Sequence, residues 1–313
     1  MNSLSKLSAP LFVAGGLTAI AYAGLCLALY NIQTKLIFRP LPFLFRNPAE
    51  EGVPYEDVWI PLRQNDLDSK PIKLHGWWMP NHSHADSLIA KNRVLLLCHG
   101  NYGNVSYNVN RCRFYHSLGF SVLSFDYRGY GLSPSGEPSE QKTYEDAEAA
   151  LQYLTTERQI DPGHITVLGH SLGGAIALHL GTKHPELNSL IVECSFTSMR
   201  EAVHAKKIYR FFPVEQLLSH AFDSLSKVKD LKIPVLYVHG DEDVDVPPIF
   251  SQQLYAASSE PKQLWIVPGA GHDNITADFS EGYTQALESF LAEAQINVET
   301  VAAQKTSSHL SKA

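Results

Sequence analysis

The most apolar part of the chain is its N-terminal region. No charged residue occurs between Lys6 and Lys35, which leaves 28 uncharged positions, and residues 11–30 are almost all apolar. As a helix, twenty residues extend about 30 Å, the thickness of a bilayer core, and their backbone groups are hydrogen-bonded within the helix. We therefore expect residues 1–34 to form a membrane anchor.

A cleaved signal peptide is the main alternative to an anchor. Ala21-Tyr22-Ala23 has the small-residue pattern of a cleavage site, and Lys6 could serve as the positive n-region. The apolar run continues beyond that site and is longer than the hydrophobic part of a signal peptide, which favours the anchor.

An arm of residues 35–56 follows the apolar run. Phe38, Phe43 and Phe45 are interleaved with Arg39 and Arg46. Such a segment is typical of chain in the lipid headgroup region, and it is equally compatible with an arm packed on the following domain.

The orientation in the membrane stays open. The excess of basic residues after the apolar run favours a cytosolic catalytic domain, whereas sequons at Asn81, Asn104 and Asn274 would permit a lumenal one. We expect a single-pass protein of the endoplasmic reticulum, another endomembrane or the plasma membrane.

From residue 57 the pattern changes to short β-branched runs that alternate with amphipathic helical stretches, which predicts a mostly parallel sheet with helices on both faces. The predicted strands are residues 58–61, 72–79, 94–98, 121–126, 165–169, 190–193, 235–239 and 264–267. The first two predict an antiparallel hairpin. The fold class is therefore α/β, with eight strands over residues 57–295.

Helices are predicted between these strands. Residues 143–158 have Thr143 as a capping residue and Asp146 three positions later, and helices are also expected at 172–183, 253–257 and 283–292. Residues 197–230 interrupt the alternation and read as a small helical lid. The polar tail, residues 296–313, is expected to be disordered.

Composition narrows the functional class. Hydrophobic residues make up 44% of the 313 residues and charged residues 18%, which permits a large core. The formal net charge of −7 argues against a nucleic-acid-binding protein. Four cysteines without a CxxC pair predict neither a disulfide scaffold nor a zinc site, and we expect no metal.

A G-x-S-x-G motif carries the strongest chemical signal. Gly169-His170-Ser171-Leu172-Gly173 follows one predicted strand and opens a helix of small residues. The flanking glycines allow a sharp turn that exposes the serine hydroxyl, while the helix N-terminus offers free N–H groups where an oxyanion would form. Ser171 is therefore the candidate nucleophile.

A second loop predicts the other half of an oxyanion hole. His99-Gly100-Asn101 follows an apolar strand, and the backbone N–H of Asn101 could act together with that of Leu172. Tyr102, next in the chain, is our candidate for a substrate-binding side chain.

The remaining chemistry comes from the last two strands. Asp241, Asp243 and Asp245 follow the strand at 235–239, and any of them could orient a histidine. His272 follows the last strand in a glycine-rich loop. The order of serine, aspartate and then histidine is the one that an α/β-hydrolase requires.

Over about residues 55–292 the chain resembles an α/β-hydrolase, and more closely the membrane-anchored eukaryotic family of fungal bud-emergence (Bem-type) hydrolases. The matching stretches are residues 36–38, 54–58, 74–77, 99–101, 125–131, 169–174, 195–199, 234–236 and 239–240. The family pattern G-x-x-D-x-x-V-P, laid on residues 240–247, selects Asp243 as the acid. The resemblance also implies a serine hydrolase with a short lid and no cofactor. Cys194-Ser195 departs from the Ser-Pro that relatives often carry.

These observations predict a membrane-anchored serine hydrolase in which Ser171, Asp243 and His272 cleave acyl esters or thioesters through an acyl-enzyme. The expected partners are the membrane and a lipid or small-molecule acyl substrate, as for a lysophospholipase, a monoacylglycerol lipase or a protein depalmitoylase. A serine peptidase on the same triad, or a membrane scaffold that uses the hydrolase fold as a binding surface, is the alternative.

Overall fold

A computed structural model describes residues 4–62, 72–81 and 93–294. The tail at 296–313 lies outside the described residues. The chain begins with the long helix α1, Leu4–Ile37, in which Gly15–Ile37 form an apolar stretch long enough to cross a membrane. Only 6% of the most apolar window is buried against the rest of the protein, so this helix is not a core helix of the domain.

Eight strands form the central sheet, as the alternating pattern predicts. They are β1 (Glu56–Pro61), β2 (Lys73–Met79), β3 (Val94–Cys98), β4 (Ser121–Phe125), β5 (Ile165–His170), β6 (Ser189–Glu193), β7 (Val235–Gly240) and β8 (Lys262–Val267). Their order is β8-β7-β6-β5-β3-β4-β2-β1. All neighbours from β4 to β8 are parallel, and β2 is antiparallel to both β1 and β4. The predicted fold class is confirmed.

The sheet separates two hydrophobic cores because successive side chains of a strand point to opposite faces. In β3, Val94, Leu96 and Cys98 belong to one core, and Leu95 and Leu97 belong to the other. This double burial explains why the central strands are continuous apolar runs rather than alternating ones.

Helices cover both faces of the sheet. They are α2 (Val109–Ser117), α3 (Glu140–Gln152), α4 (Leu172–Lys183), α5 (Met199–Ala205), α6 (Val214–Leu217), α7 (Ser224–Val228), α8 (Ile249–Ala257) and α9 (Ile275–Asp278), and residues 280–294 are also helical. The predicted start of α3 at Thr143 is wrong. Ser139 caps this helix by accepting from the backbone N–H of Lys142, so Thr143 lies inside the first turns.

The arm after α1 is packed on the domain. Phe38 is 1% exposed and belongs to a hydrophobic core. Arg39–Pro40 pair as a short parallel strand with Tyr102–Gly103, in the loop that follows β3. The C-terminal end of α1 is therefore attached to the same edge of the sheet that carries the candidate chemistry.

Candidate active site

The Ser171 turn joins β5 directly to α4. Ser171 has φ 54° and ψ −118°, a backbone conformation that residues other than glycine rarely adopt and that the surrounding structure must maintain. Glycine is required on both sides: a Cβ at Gly169 would collide with the Gly173 carbonyl, and one at Gly173 would collide with the Cys98 carbonyl. The turn presses α4 against the end of β3 and leaves Ser171 9% exposed.

Asp243 and His272 meet at the ends of β7 and β8. The Oδ2 atom of Asp243 lies 2.6 Å from Nδ1 of His272. The Oδ1 atom of Asp243 accepts hydrogen bonds from the backbone N–H groups of Asp245 at 2.9 Å and Val246 at 2.8 Å. The carboxylate is thus fixed on both sides.

The other two aspartates of this loop have different partners. Asp241 accepts a hydrogen bond from the backbone N–H of Gly269, and Asp245 forms an exposed ion pair with Lys206. Of the three acids that the sequence left in competition, the structure brings Asp243 to the histidine ring.

The pKa values of Asp243 and His272 are shifted in opposite directions. Burial raises the pKa of Asp243, but the hydrogen bonds from His239 and His272 hold that pKa well below its usual range. Burial lowers the pKa of His272, and the hydrogen bond and charge of Asp243 more than offset this, so its pKa is raised. Burial lowers the pKa of the neighbouring His170 far below its ordinary value, which keeps that ring neutral.

Ser171 and His272 lie on the wall of one cavity of about 490 Å³. In the part of the chain that the structure describes, no hydrogen bond joins the Ser171 hydroxyl to the His272 ring. Such bonds are commonly long before a substrate binds. The rest of the wall is mostly apolar, and α4, the lid and α1 contribute much of it. It includes Leu172, Met199, Val203, Leu36 and Ile37, and Phe196 just before the lid.

The two predicted oxyanion donors flank the Ser171 turn. Leu172 is the first residue of α4, so its N–H has no partner within the helix. A Cβ built on Gly100 would lie 3.5 Å from the Cβ of Ser171, which places the loop with Asn101 beside the turn. Among the described residues, no protein acceptor is bonded to the N–H of Asn101. The Tyr102 side chain also lines the cavity.

Sequence reasoning missed His239, which lies at the end of β7. Its Nε2 atom is 3.1 Å from Oδ2 of Asp243 and 2.7 Å from the carbonyl oxygen of Val246, while its Nδ1 atom bonds Ser251 at 2.7 Å. These partners indicate a ring that donates from Nε2 and fixes the carboxylate from behind. The only available signal was a histidine directly before the loop of three aspartates.

Sequence reasoning also missed the part of α1 in the cavity. Leu29, Gln33, Leu36 and Ile37 line the same space as Ser171. Hydrophobic patterning predicted a helix that could span a membrane, but the pattern contains no signal for which face of α1 contacts the domain.

Groups that could ligate a metal lie close to the same centre. The side chains of His170, Cys194 and His272, and those of Cys194, His239 and Asp243, place one ligand atom each within 4.8 Å of one another. Both groups share residues with the Asp243–His272 pair, and burial raises the pKa of the Cys194 thiol, which disfavours the thiolate that binds metals.

Comparisons with known proteins agree with this architecture. A family model for the α/β hydrolase fold matches residues 93–217. The protein bem46 of Schizosaccharomyces pombe is 30% identical over 90% of this chain and 93% of its own. An uncharacterized membrane protein of Saccharomyces cerevisiae is 30% identical over 89% of this chain and 95% of its own. A Pyrococcus furiosus esterase of known structure has a TM-score of 0.65 at 20% identity, over 82% of this chain and 98% of its own.

Proposed function

The chain belongs to the α/β-hydrolase family, in the group that includes bem46, and from this premise we propose that it is a membrane-anchored serine hydrolase. Its substrates are acyl esters or thioesters of lipids or of lipidated molecules. Ser171 is the nucleophile, His272 the general base and acid, and Asp243 the residue that orients His272.

One observation carries the proposal. The Ser171 turn and the His272 ring border the same apolar cavity, with Asp243 hydrogen-bonded to the far side of the ring. A serine on a strained strand-to-helix turn, next to a histidine that a buried carboxylate orients, is the arrangement that acyl transfer requires.

Acylation begins with the neutral His272 ring. Its Nε2 takes the proton of Ser171 as the Oγ atom bonds to the carbonyl carbon. The carbonyl oxygen becomes an oxyanion that the N–H groups of Asn101 and Leu172 stabilise, and loss of one such donor costs about 3 kcal/mol of barrier. The bond to the leaving group then breaks, and His272 gives its proton to the departing alcohol or thiol.

Deacylation repeats these steps with water. His272 removes a proton from water, the resulting hydroxide bonds to the acyl carbon, and the ester bond to Ser171 breaks as the proton returns to Oγ. The products are the free acid and the original enzyme. Throughout, Asp243 holds the proton on Nδ1 of His272, which leaves Nε2 free to accept.

The cavity wall supports an acyl chain as the part of the substrate that is bound. Most of the lining is aliphatic or aromatic, including Met199, Phe212, Val214 and Leu218 of the lid. An apolar wall with a few polar groups at one end is suited to a hydrocarbon chain with one reactive carbonyl. Tyr102 lines the cavity, is 45% exposed and is proposed to contact the substrate.

The domain boundaries form part of the proposal. Residues 1–34 anchor the protein as a single pass, residues 35–56 form the arm, and residues 57–295 form the hydrolase domain with its lid at 197–230. A relative that is named a membrane protein and the apolar helix Gly15–Ile37 support membrane association.

The test is covalent labelling of the full-length protein with a fluorophosphonate, which reacts with activated serines. We expect wild type to be labelled and Ser171→Ala not to be. Ser117→Ala is the matched control, because Ser117 is exposed and its hydroxyl donates to the carbonyl of Phe114 in its own helix. If folded wild-type protein is not labelled, the proposed enzyme activity is refuted and the membrane-scaffold alternative is favoured.

A substrate panel then separates the reaction classes. Long-chain monoacylglycerol, lysophospholipid, a palmitoyl thioester peptide and an unmodified peptide are compared at equal concentration. Release of fatty acid from the ester or thioester substrates supports the proposal. Cleavage of the unmodified peptide alone would refute the proposed esterase or thioesterase activity and favour a serine peptidase.

A further inference from the structure

The lid has an outward-facing tip that the proposed reaction does not use. We define the lid tip as residues 207–212, which include a short 3-10 helix at Lys207–Phe211. Tyr209 and Phe212 line the cavity. Ile208 and Phe211 point the other way and are 68% and 71% exposed.

Cations accompany these exposed apolar side chains. Lys207 and Arg210 are both exposed and lie in the same short helix. Two large apolar side chains flanked by lysine and arginine form the pattern of an interfacial element, in which the apolar groups enter the lipid and the long cationic side chains reach back to the headgroups.

The lid tip is in direct contact with α1. The hydroxyl of Tyr22 donates to the carbonyl oxygen of Phe211 at 2.8 Å, and the rings of Tyr22 and Phe212 are parallel with centroids 6.0 Å apart. Nearer the end of α1, Gln33 donates to the carbonyl of Leu217 at 2.9 Å and accepts from the backbone N–H of Ser219 at 2.8 Å.

These contacts fix the level of the lid tip relative to the membrane. Tyr22 lies within Gly15–Ile37, the stretch that can cross a bilayer. Tyr22 and Tyr30 are about 12 Å apart along the helix, and tyrosine is enriched where the hydrocarbon meets the headgroups. The domain contacts α1 from Tyr22 to Ile37, so the part of α1 that can lie in the hydrocarbon core is the part before Tyr22. The lid tip, which meets α1 at Tyr22, therefore lies at the membrane boundary when that part is inserted.

We propose that the lid tip is a membrane-docking surface, with Ile208 and Phe211 inserted into the leaflet beside α1 and Lys207 and Arg210 on anionic headgroups. This inference rests on the proposed anchoring by α1 and is independent of the reaction. Since α1 and the lid together wall the cavity, docking puts the cavity entrance against lipid, and an acyl chain reaches Ser171 from the leaflet rather than from water.

The test places an environment-sensitive nitrobenzoxadiazole label on single cysteines of the full-length protein in vesicles of phosphatidylcholine and phosphatidylserine. Cys98, Cys112 and Cys194 are buried, and the partly exposed Cys26 is replaced in a Cys26→Ala background. The reporter variant is Ile208→Cys.

Two further variants calibrate the signal. Leu17→Cys reports insertion of α1, since Leu17 is exposed on that helix, and Glu157→Cys reports an exposed site before β5 at the opposite end of the sheet. We expect blue-shifted emission and quenching by doxyl-labelled lipids at positions 208 and 17, and neither at 157.

The outcomes separate the two proposals. If the label is quenched at position 17 but, as at position 157, is not quenched at position 208, the docking surface is overturned. The proposed anchor is then unaffected. No quenching at position 17 would overturn the anchor, and the docking surface with it.

A charge reversal tests the headgroup contacts. In the Ile208→Cys reporter, Lys207→Glu with Arg210→Glu should weaken docking by about fivefold per cation in vesicles with phosphatidylserine, and have little effect in phosphatidylcholine alone. Lys229→Glu with Lys232→Glu is the matched control, because both lysines are exposed near the start of β7. Equal quenching in both pairs would overturn the role of the two cations.

Discussion

Asp243→Asn is the substitution that examines the proposed chemistry most directly. The Oδ1 atom accepts from the N–H groups of Asp245 and Val246, and Oδ2 accepts from the His272 ring and lies 3.1 Å from Nε2 of His239. An asparagine retains the shape and one acceptor. Because both backbone donors need that acceptor, the new NH₂ group faces the two rings, where it can only donate.

The magnitude follows from the state of the His272 ring. In the variant, Nδ1 of His272 faces the NH₂ group of the asparagine, which can only donate, so Nδ1 must accept. The ring proton then sits on Nε2, and the neutral ring cannot take a proton from Ser171. The equivalent exchange in a serine protease costs about 10⁴-fold. The Asp243 side chain is fully buried, so water does not replace the lost charge. We expect kcat/KM to fall by about 10³- to 10⁴-fold, or roughly 4–5.5 kcal/mol.

The pH profile gives an independent readout. The neutral His272 ring is the active form, and Asp243 raises its pKa, so wild-type activity increases as the pH rises through a value above the ordinary 6.5 of histidine. In the variant burial continues to lower the pKa while the opposing charge is gone. The acid limb should therefore move to lower pH while the plateau falls.

The assay is hydrolysis of a short p-nitrophenyl ester by the full-length protein in detergent, measured across the acid limb. Asp241→Asn is the matched control, because Asp241 lies in the same loop and bonds Gly269 instead of the ring. The reasoning would be refuted by a loss of less than tenfold with an unmoved acid limb, or by an equal loss in the control.

Three other substitutions probe the surroundings. Gly173→Ala drives a methyl group into the Cys98 carbonyl and should destabilise the protein by about 1–3 kcal/mol in urea unfolding; unchanged stability would contradict the tight turn. His239→Ala removes the buried ring whose Nε2 atom lies 3.1 Å from Asp243 and should lower kcat/KM by about tenfold or more, and full activity would show that the carboxylate does not need this support. Gln33→Leu removes two hydrogen bonds from α1 to the lid and should speed tryptic cleavage of the lid about tenfold, whereas an unchanged rate would mean that these bonds do not hold it.

The fold was predictable because its signals are local. The central strands β3, β5 and β7 are buried on both faces, so they are apolar runs that are visible in the sequence. The start of α3 was misplaced because Ser139 and Thr143 are both acceptable capping residues, and only the backbone path shows that Ser139 accepts from Lys142.

The kind of site could be predicted from the sequence, but not all of the residues that form it. A glycine-flanked serine between strand and helix carries its geometry in its own sequence, because close backbone approach excludes any side chain at Gly169 and Gly173. The choice of Asp243 came from a family pattern, since spacing alone did not separate it from its neighbours. The contact of His239 with Asp243 depends on how the chain turns after β7, which no local signal reports.

By itself, the sequence determined an apolar N-terminal helix and an α/β domain, since periodicity and uninterrupted hydrophobic runs are properties of neighbouring residues. Tertiary structure alone decided that the helix walls the cavity and holds the lid: Tyr22 and Phe211 are 189 positions apart. Such a contact exists only because β3, β5 and the lid bring distant segments to one edge of the sheet, and packing between distant segments leaves no periodic trace in either of them.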